Sequence, residues 1–208
     1  MDVDIVSMSW TFKKKDDDPD DGEKKFLEEL NRAAQKNNVI LFASLPDKGA
    51  MTEITKYIPV GSNKVIRIGS ATMYGEEAKE IKLEDRDFLL PGEEYTSSSG
   101  ESDKGSSYAT AYAAGLGALV LYSLRAHKAL EDSEYEKRRA AKRLERAASM
   151  DGMRKIFKVL SNKGVKDRIP EQGFFMRPYL VFGSSFGVDA AERIGYLRQL
   201  GTKILPLD

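Results

Sequence analysis

The chain lacks cysteine altogether and carries a single histidine, and these two shortages exclude whole classes of chemistry. Without thiols there is no disulfide framework, no thiolate nucleophile and no cysteine-based metal site. Lysine plus arginine equals aspartate plus glutamate at 33 each, so no net charge draws the protein to nucleic acid or to an anionic membrane. No apolar run is long enough to span a bilayer, and no signal-like leader opens the sequence. By default these absences predict a cytoplasmic or nuclear protein with neither nucleic acid nor a membrane as partner.

The remaining composition is that of a globular protein, with 208 residues of which 41% are hydrophobic and 32% are charged. A chain of this length can bury one sizeable core. Short apolar runs predict strands at 5–10, 39–43 and 65–68, and apolar residues at helical spacing predict a helix over 23–37. Strand, helix and strand in succession imply a parallel pair joined by a right-handed crossover. The sequence therefore predicts an α/β fold, with flanking helices on a mostly parallel sheet.

The C-terminal third is different in character. Residues 131–160 are highly charged and have helical periodicity, and a further helix is predicted over 188–200. We therefore predict two regions, a main α/β domain over 1–130 and a mainly helical extension over 131–208. The sequence alone indicates no function for the extension.

The most informative segment is a small-residue turn with two serines, followed by an unusually apolar helix. Residues 109–121 consist of Ala, Gly, Leu, Val and Tyr with one Thr, so the helix has no polar face and is predicted to be buried on all sides. A hydroxyl at the start of such a helix is either a cap or a catalyst. As a cap, Ser106 or Ser107 would accept a backbone N–H of the first turn.

Residues 105–115 read Gly-Ser-Ser-Tyr-Ala-Thr-Ala-Tyr-Ala-Ala-Gly, which resembles the Gly-Thr-Ser-Met-Ala-x-Pro-x-x-Ala-Gly nucleophile segment of subtilisin-like serine peptidases, the subtilases. Four earlier segments resemble the family's preceding segments in the same order. They are 3–10, ending in Ser-Met-Ser and Trp; 39–49, a strand with its following turn; 65–72, a Val-Gly-Ala-like strand; and 88–93, with Pro-Gly. The resemblance covers roughly the first three-fifths of the chain. It implies a subtilisin-like sheet whose N-terminal strands lie outside this sequence.

The resemblance also implies a set of site residues. It makes Ser107 the nucleophile, and it places Asp47 where the family has an asparagine amide that donates to the oxyanion. The substrate-binding positions that it implies are Ser44, Leu45, Pro46, Gly105 and Ser106. An ionised carboxylate cannot donate, and loss of that donor costs ~10²–10³ in turnover, a magnitude taken from subtilisin itself. The alternative for Asp47 is an ordinary turn residue.

The base that a serine nucleophile needs is not recognisable in this sequence. In subtilisin the triad runs in the order Asp, His, Ser, yet neither Asp-Thr-Gly, Asp-Ser-Gly nor His-Gly-Thr occurs here. His127 is followed by Lys128, and a continuous helix would place it about 30 Å from Ser107. We therefore predict that His127 is an exposed residue at a helix end. By itself the chain is expected not to hydrolyse peptides, because its serine has no base.

Three interpretations remain open at this point. The first is the C-terminal part of a serine endopeptidase that acts on peptides or proteins, with the base in a missing N-terminal segment. The second is a pseudoenzyme that binds peptides or partners. The third is an unrelated α/β binding domain in which Ser107 is a helix cap. In the first two, the first strand forms an unprotected sheet edge that invites association.

No metal or cofactor is predicted. The aspartates of 16–22 are spaced like those of a calcium loop, but the glycine and glutamate that an EF-hand needs are out of register. The basic residues of 137–146 have Glu134, Glu136 and Glu145 among or beside them, which indicates paired charges on a solvated helix. Gly115 and Gly117 follow no strand, so they do not form a dinucleotide fingerprint.

Overall fold

The computed structural model describes residues 3–14, 20–36, 39–47, 53–76, 86–92, 95–96, 102–162, 175–176, 178 and 190–205. The helices within this part of the chain are α1 (Asp21–Lys36), α2 (Ser106–Leu130), α3 (Glu134–Ala147), α4 (Met150–Asn162) and α5 (Ala190–Ile204). The strands are β1 (Ile5–Met8), β2 (Phe12–Lys13), β3 (Ile40–Ser44), β4 (Tyr57–Ile58), β5 (Ile66–Ala71), β6 (Phe88–Pro91), β7 (Tyr95–Thr96) and β8 (Ser102–Asp103).

The central element is a four-stranded parallel sheet in the order β1-β3-β5-β6. Neighbouring strands pair Ile5 with Ile40, Phe42 with Ile66, and Ile68 with Phe88. The α/β prediction is thus confirmed. The strand β3 is the continuous apolar run expected of a strand that is covered on both faces, and all five of its residues are buried. All four strands run in the same direction, so their carboxyl ends meet at one edge of the sheet.

Alternating side chains build a separate core on each face of the sheet. Ile40 and Phe42 point to the face covered by α2 and α4, where Phe157 packs against Phe42 with ring centroids 5.4 Å apart. Leu41 and Ala43 point to the opposite face, toward the α1 side chains. This alternation follows directly from the two-residue period of a strand.

The prediction that the apolar helix is buried on all sides is wrong. The sheet, α3 and α5 cover one side of α2, whereas Tyr112, Leu119 and Tyr122 on the other side are 53%, 49% and 69% exposed. Composition could not reveal this difference, because small and apolar residues occupy both sides. The exposed side of α2 and the end of β6 border an open apolar groove of about 650 Å³.

Several boundaries differ from those expected. The segment that begins at Phe88, interpreted as a turn, contains β6, and the charged stretch after Glu131 divides into α3 and α4. Ser149 separates those two helices: its Oγ accepts the Gly152 N–H at 3.1 Å and so caps the first turn of α4. Residues 15–19 of the calcium-like run lie outside the described residues. None of the helices in the described ranges has the length and hydropathy needed to cross a bilayer.

His127 is not exposed, so that prediction is also wrong. It is 3% exposed, and its Nε2 lies 2.9 Å from a carboxylate oxygen of Glu131, one helical turn further along. The reason is that α5 packs against α2 and covers the histidine ring. Gly201 of α5 approaches so closely that a Cβ at that position would lie 2.8 Å from His127 Nδ1.

The close approach at Gly201 predicts a specific packing defect. Gly201→Ala is expected to lower the free energy of unfolding by about 1–3 kcal/mol, because the methyl group overpacks against a ring that Glu131 holds in place. Gly195→Ala in the same helix is the matched control: a Cβ there meets nothing within 4 Å. It should be neutral or stabilising by up to about 1 kcal/mol. Urea denaturation of the intact protein followed by circular dichroism measures both, and equal losses would contradict the packing.

Candidate active site

The candidate site lies at the carboxyl edge of the sheet, where open α/β sheets commonly bind ligands. Ser9 follows β1, Asp47 follows the end of β3, Ser70 is near the end of β5, and Gly92 follows β6. Helix α2 starts at the same edge with Ser106 and Ser107 in its first turn. The topology therefore brings five separate chain segments together around the start of α2.

Ser107 is joined to the end of β1 by a reciprocal pair of hydrogen bonds. Its Oγ donates to the backbone oxygen of Ser9 at 2.8 Å, and Ser9 Oγ donates to the backbone oxygen of Ser107 at 3.0 Å. The residue that precedes the helix is Gly105, which makes no side-chain cap bond. The hydroxyl of Ser107 thus does not cap α2; the half-buried group is held against the sheet edge.

The first turn of α2 is instead capped from a distance by the carboxylate of Asp47. Its Oδ2 accepts the Ser106 N–H at 3.0 Å, and its Oδ1 accepts the Ser106 hydroxyl at 2.7 Å. Negative charge at a helix N-terminus is stabilising by about 0.3–1 kcal/mol. Gly105 makes this contact possible: its φ is +145°, and a Cβ there would lie 2.7 Å from Asp47 Oδ2.

Ser106 is completely buried and ties three elements together. Its Oγ donates to Asp47 and accepts the Ser70 N–H at 3.2 Å, so it links β5 with the turn after β3. Its backbone oxygen accepts the Thr110 hydroxyl at 2.7 Å. Ser106 therefore orients the turn that presents Ser107, a supporting position next to the proposed nucleophile.

A second buried serine, Ser70, joins the same network through its backbone N–H. Within the described residues its Oγ has no hydrogen-bond partner. Gly92 packs directly on it, since a Cβ at Gly92 would be 2.4 Å from Ser70 Oγ. The Gly92 oxygen accepts the Gly105 N–H at 2.7 Å, which fastens the end of β6 to the start of α2.

The family resemblance implies that Ser44, Leu45 and Pro46 bind substrate, and all three are buried. The Leu45 N–H donates to the Ile68 oxygen at 3.0 Å, which extends the pairing of β3 with β5 beyond the regular strand. These residues thus fix the position of Asp47, which itself is exposed. Their side chains offer little surface to a ligand.

No general base accompanies Ser107 among the described residues. His127 lies on the same helix twenty residues further along, which corresponds to about 30 Å at 1.5 Å per residue. The same part of the chain contains no group of three or more His, Cys, Asp or Glu side chains that could hold a metal ion. The described chemistry is therefore a serine hydroxyl beside a helix N-terminus.

Ser9 and Ser70 were not predicted as site residues from the sequence. Each lies at or just beyond the carboxyl end of a strand that the sequence did predict. Their positions at these strand ends could therefore have indicated that both residues belong to the site. The hydroxyl of a single serine carries no such signal by itself.

Comparison with known proteins identifies the family. The sequence model of the subtilase family matches residues 1–164 of this chain. Among solved structures, the prenylagaramide maturation protease PagA has a TM-score of 0.53 and 16% identity over 93% of this chain and 62% of its own. The patellamide maturation protease PatA has a TM-score of 0.51 and 16% identity over 95% of this chain and 62% of its own. A protease from Pseudoalteromonas arctica has a TM-score of 0.55 and 15% identity over 85% of this chain and 50% of its own.

These matches bear on fold and family in different ways. At such identities the structural likeness concerns the fold, and the chain spans 62% of the length of PagA and of PatA. A search of curated protein sequences gave no match. The family match covers all the segments from which the resemblance was deduced, and it excludes the interpretation as an unrelated α/β domain. The chain belongs to the subtilase family.

Proposed function

We propose that this chain carries the nucleophile of a serine endopeptidase and that Ser107 attacks the carbonyl carbon of a peptide bond. The observation that carries the proposal is the position of Ser107. Its hydroxyl is half-buried at the carboxyl edge of a subtilase sheet, in the first turn of α2. Ser106, Asp47 and Ser9 hold that turn in place through hydrogen bonds.

The reaction would proceed through an acyl-enzyme. As Ser107 Oγ bonds to the carbonyl carbon, its proton passes to a base, which later protonates the leaving amine; water then hydrolyses the ester. The negative charge that develops on the carbonyl oxygen is stabilised by donors at a helix N-terminus. The Ser107 N–H is one of the first-turn donors that have no partner within the helix. In the described state the hydroxyl donates to Ser9, so it must turn toward the base before attack.

The base and the carboxylate that orients it are proposed to come from polypeptide outside these 208 residues. Two observations support this. The structural relatives PagA and PatA are longer than the part that this chain matches, and the subtilisin triad has Asp and His before Ser in the chain. His127 does not compete for the role, because it is buried against Glu131 and covered by α5.

The test is the intact mass of the native protein, captured from its source cells with an antibody against the C-terminal residues. A mass well above 23.2 kDa, with tryptic peptides that contain the Asp and His motifs, is the expected result. A mass of 23.2 kDa without a copurifying chain that carries those motifs would contradict it.

A second candidate, a pseudoenzyme that binds peptides without cleaving them, is favoured by the state of Asp47. Its two carboxylate oxygens accept the N–H and O–H of Ser106. A carboxylate offers no donor to an oxyanion. Under this interpretation the site retains the family's shape, and Asp47 serves only to cap α2.

A further inference from the structure

A second site lies at the other end of α2, between α2, α3 and α5. It is an open cavity of about 630 Å³, lined by side chains that carry polar or charged groups. Its lining residues are His127, Glu131, Glu136, Arg139, Arg143, Gln199, Thr202 and Lys203. The helix α2 separates it from Ser107 by about 30 Å, so it is distinct from the peptidase site. Helix α5, which closes one side of it, lies beyond the residues matched by the subtilase family model.

Arg143 is the unusual residue of this cavity. It is 3% exposed, and its Nε has no hydrogen-bond partner within the described residues. Burial, and then the charge of Arg139, lower the pKa of Arg143, and the charges of Glu136 and Glu131 raise it by less. A buried guanidinium without a direct counter-ion is strongly unfavourable, and an anion beside it removes much of that penalty.

The carboxylates of the cavity are already engaged by other partners. Glu131 Oε1 lies 2.9 Å from His127 Nε2, and Glu136 Oε1 accepts a hydrogen bond from Arg139 at 3.2 Å. Arg143 forms no ion pair with any described residue.

A second cation faces the same space. The ammonium group of Lys203 lies 5.5 Å from the centroid of the Tyr196 ring, which carries no net charge, and it forms no ion pair with another described residue. Three cationic side chains, those of Arg139, Arg143 and Lys203, therefore line this cavity together with two carboxylates. The cavity has an excess of positive charge, centred on Arg143 and Lys203.

We propose that this cavity binds a small molecule through an oxyanion group, a phosphate or a carboxylate, with Arg143 as the principal ligand and Lys203 as the second. The guanidinium group presents a planar fork of donors that matches both oxyanions, and a lysine ammonium adds a point charge. A volume of 630 Å³ falls in the range of ligand pockets and leaves room for an organic group attached to the anion. Gln199 and Thr202 offer neutral hydrogen bonds to that group.

Isothermal titration of the intact protein with inorganic phosphate, and separately with acetate, tests the proposal at constant ionic strength maintained with chloride. Saturable binding of at least one anion is expected, and the stronger of the two identifies phosphate or carboxylate as the recognised group. Arg143→Met should weaken that binding at least tenfold, because the loss of one charge-assisted hydrogen bond lowers the affinity for the anion by a factor of ten or more. Lys203→Met should weaken it severalfold.

The matched control is Arg138→Met, which removes the same charge from an exposed position of the same helix. Its affinity should stay within about twofold of the original, whereas nonspecific attraction to a basic surface would respond equally to both arginines. If Arg143→Met does not fold, the variant Lys203→Met tests the proposal, because Lys203 is exposed and its replacement should weaken anion binding without affecting folding. The absence of saturable binding above that of chloride, or equal losses in the Arg143 and Arg138 variants, would overturn the proposal.

Discussion

Ser107→Ala in the intact protein is expected to reduce kcat for peptide hydrolysis by about 10⁶-fold, a magnitude taken from subtilisin itself rather than from this chain. The physical reason is that alanine has no oxygen to form the acyl bond. The variant also loses the hydrogen bond from Ser107 Oγ to the Ser9 oxygen. That loss should cost about 1 kcal/mol of folding free energy, too little to unfold the domain. Turnover of a fluorogenic peptide and a thermal melt measure the two effects separately.

Ser123→Ala is the matched control for that experiment. Ser123 also lies in α2, and its Oγ donates to the Leu119 oxygen four residues back. Removing it alters the same helix without touching the sheet edge, so turnover should change less than about twofold. Peptidase activity that persists in Ser107→Ala at the original rate would exclude Ser107 as the nucleophile.

Asp47→Asn is expected to raise kcat at least tenfold, with an upper range of ~10²–10³ that again comes from subtilisin itself. The amide oxygen can still accept the Ser106 N–H that Asp47 accepts now at 3.0 Å. Its NH₂ group adds donors where the carboxylate has none, and the negative charge that opposes an oxyanion is removed. The cost is the charge at the helix N-terminus, about 0.3–1 kcal/mol, together with the hydrogen bond that Asp47 Oδ1 now accepts from the Ser106 hydroxyl. Turnover of the same fluorogenic peptide measures the gain.

Asp47→Ala separates the two contributions to this effect. It removes the negative charge without supplying a donor, so any kcat of Asp47→Asn above that of Asp47→Ala belongs to the amide. Equal kcat values for the two variants would show that this position does not face the oxyanion. If both variants remain inactive with the full triad present, the pseudoenzyme interpretation is favoured instead.

The sheet was largely predictable from the sequence because its signal is local. The apolar runs that became β3 and β5 need no distant information, and the crossover rule then fixes their parallel pairing. The strand β6 was missed because it is four residues long and ends at Pro91, which reads as a turn. Short strands of this kind are defined by their neighbour, here β5 through the pairing of Ile68 with Phe88.

His127 shows where local reasoning fails. A histidine that is followed by a lysine close to the end of a helix suggests an exposed residue, but its burial depends on α5, which lies far away in the chain. Close contact between Gly201 and the ring decides the outcome. The same non-local packing buries Arg143 and creates the cavity, so the sequence indicated neither.

The candidate site was predicted in part. The family resemblance placed Ser107 and Asp47 near each other, because segments that follow the same order in the same fold occupy corresponding positions in space. It did not indicate that Asp47 accepts both donors of Ser106, a contact between residues 59 positions apart. Nor did it indicate the reciprocal bonds between Ser107 and Ser9, 98 positions apart.

The most direct test of Ser107 as the nucleophile is labelling of the intact native protein with a fluorophosphonate, followed by mass spectrometry of its peptides. In that reaction the serine oxygen forms a bond to phosphorus and fluoride leaves, which requires an activated nucleophile. We expect one adduct, on Ser107, that is lost in Ser107→Ala and kept in Ser123→Ala. An unlabelled Ser107 in a protein that carries the Asp and His motifs would contradict it.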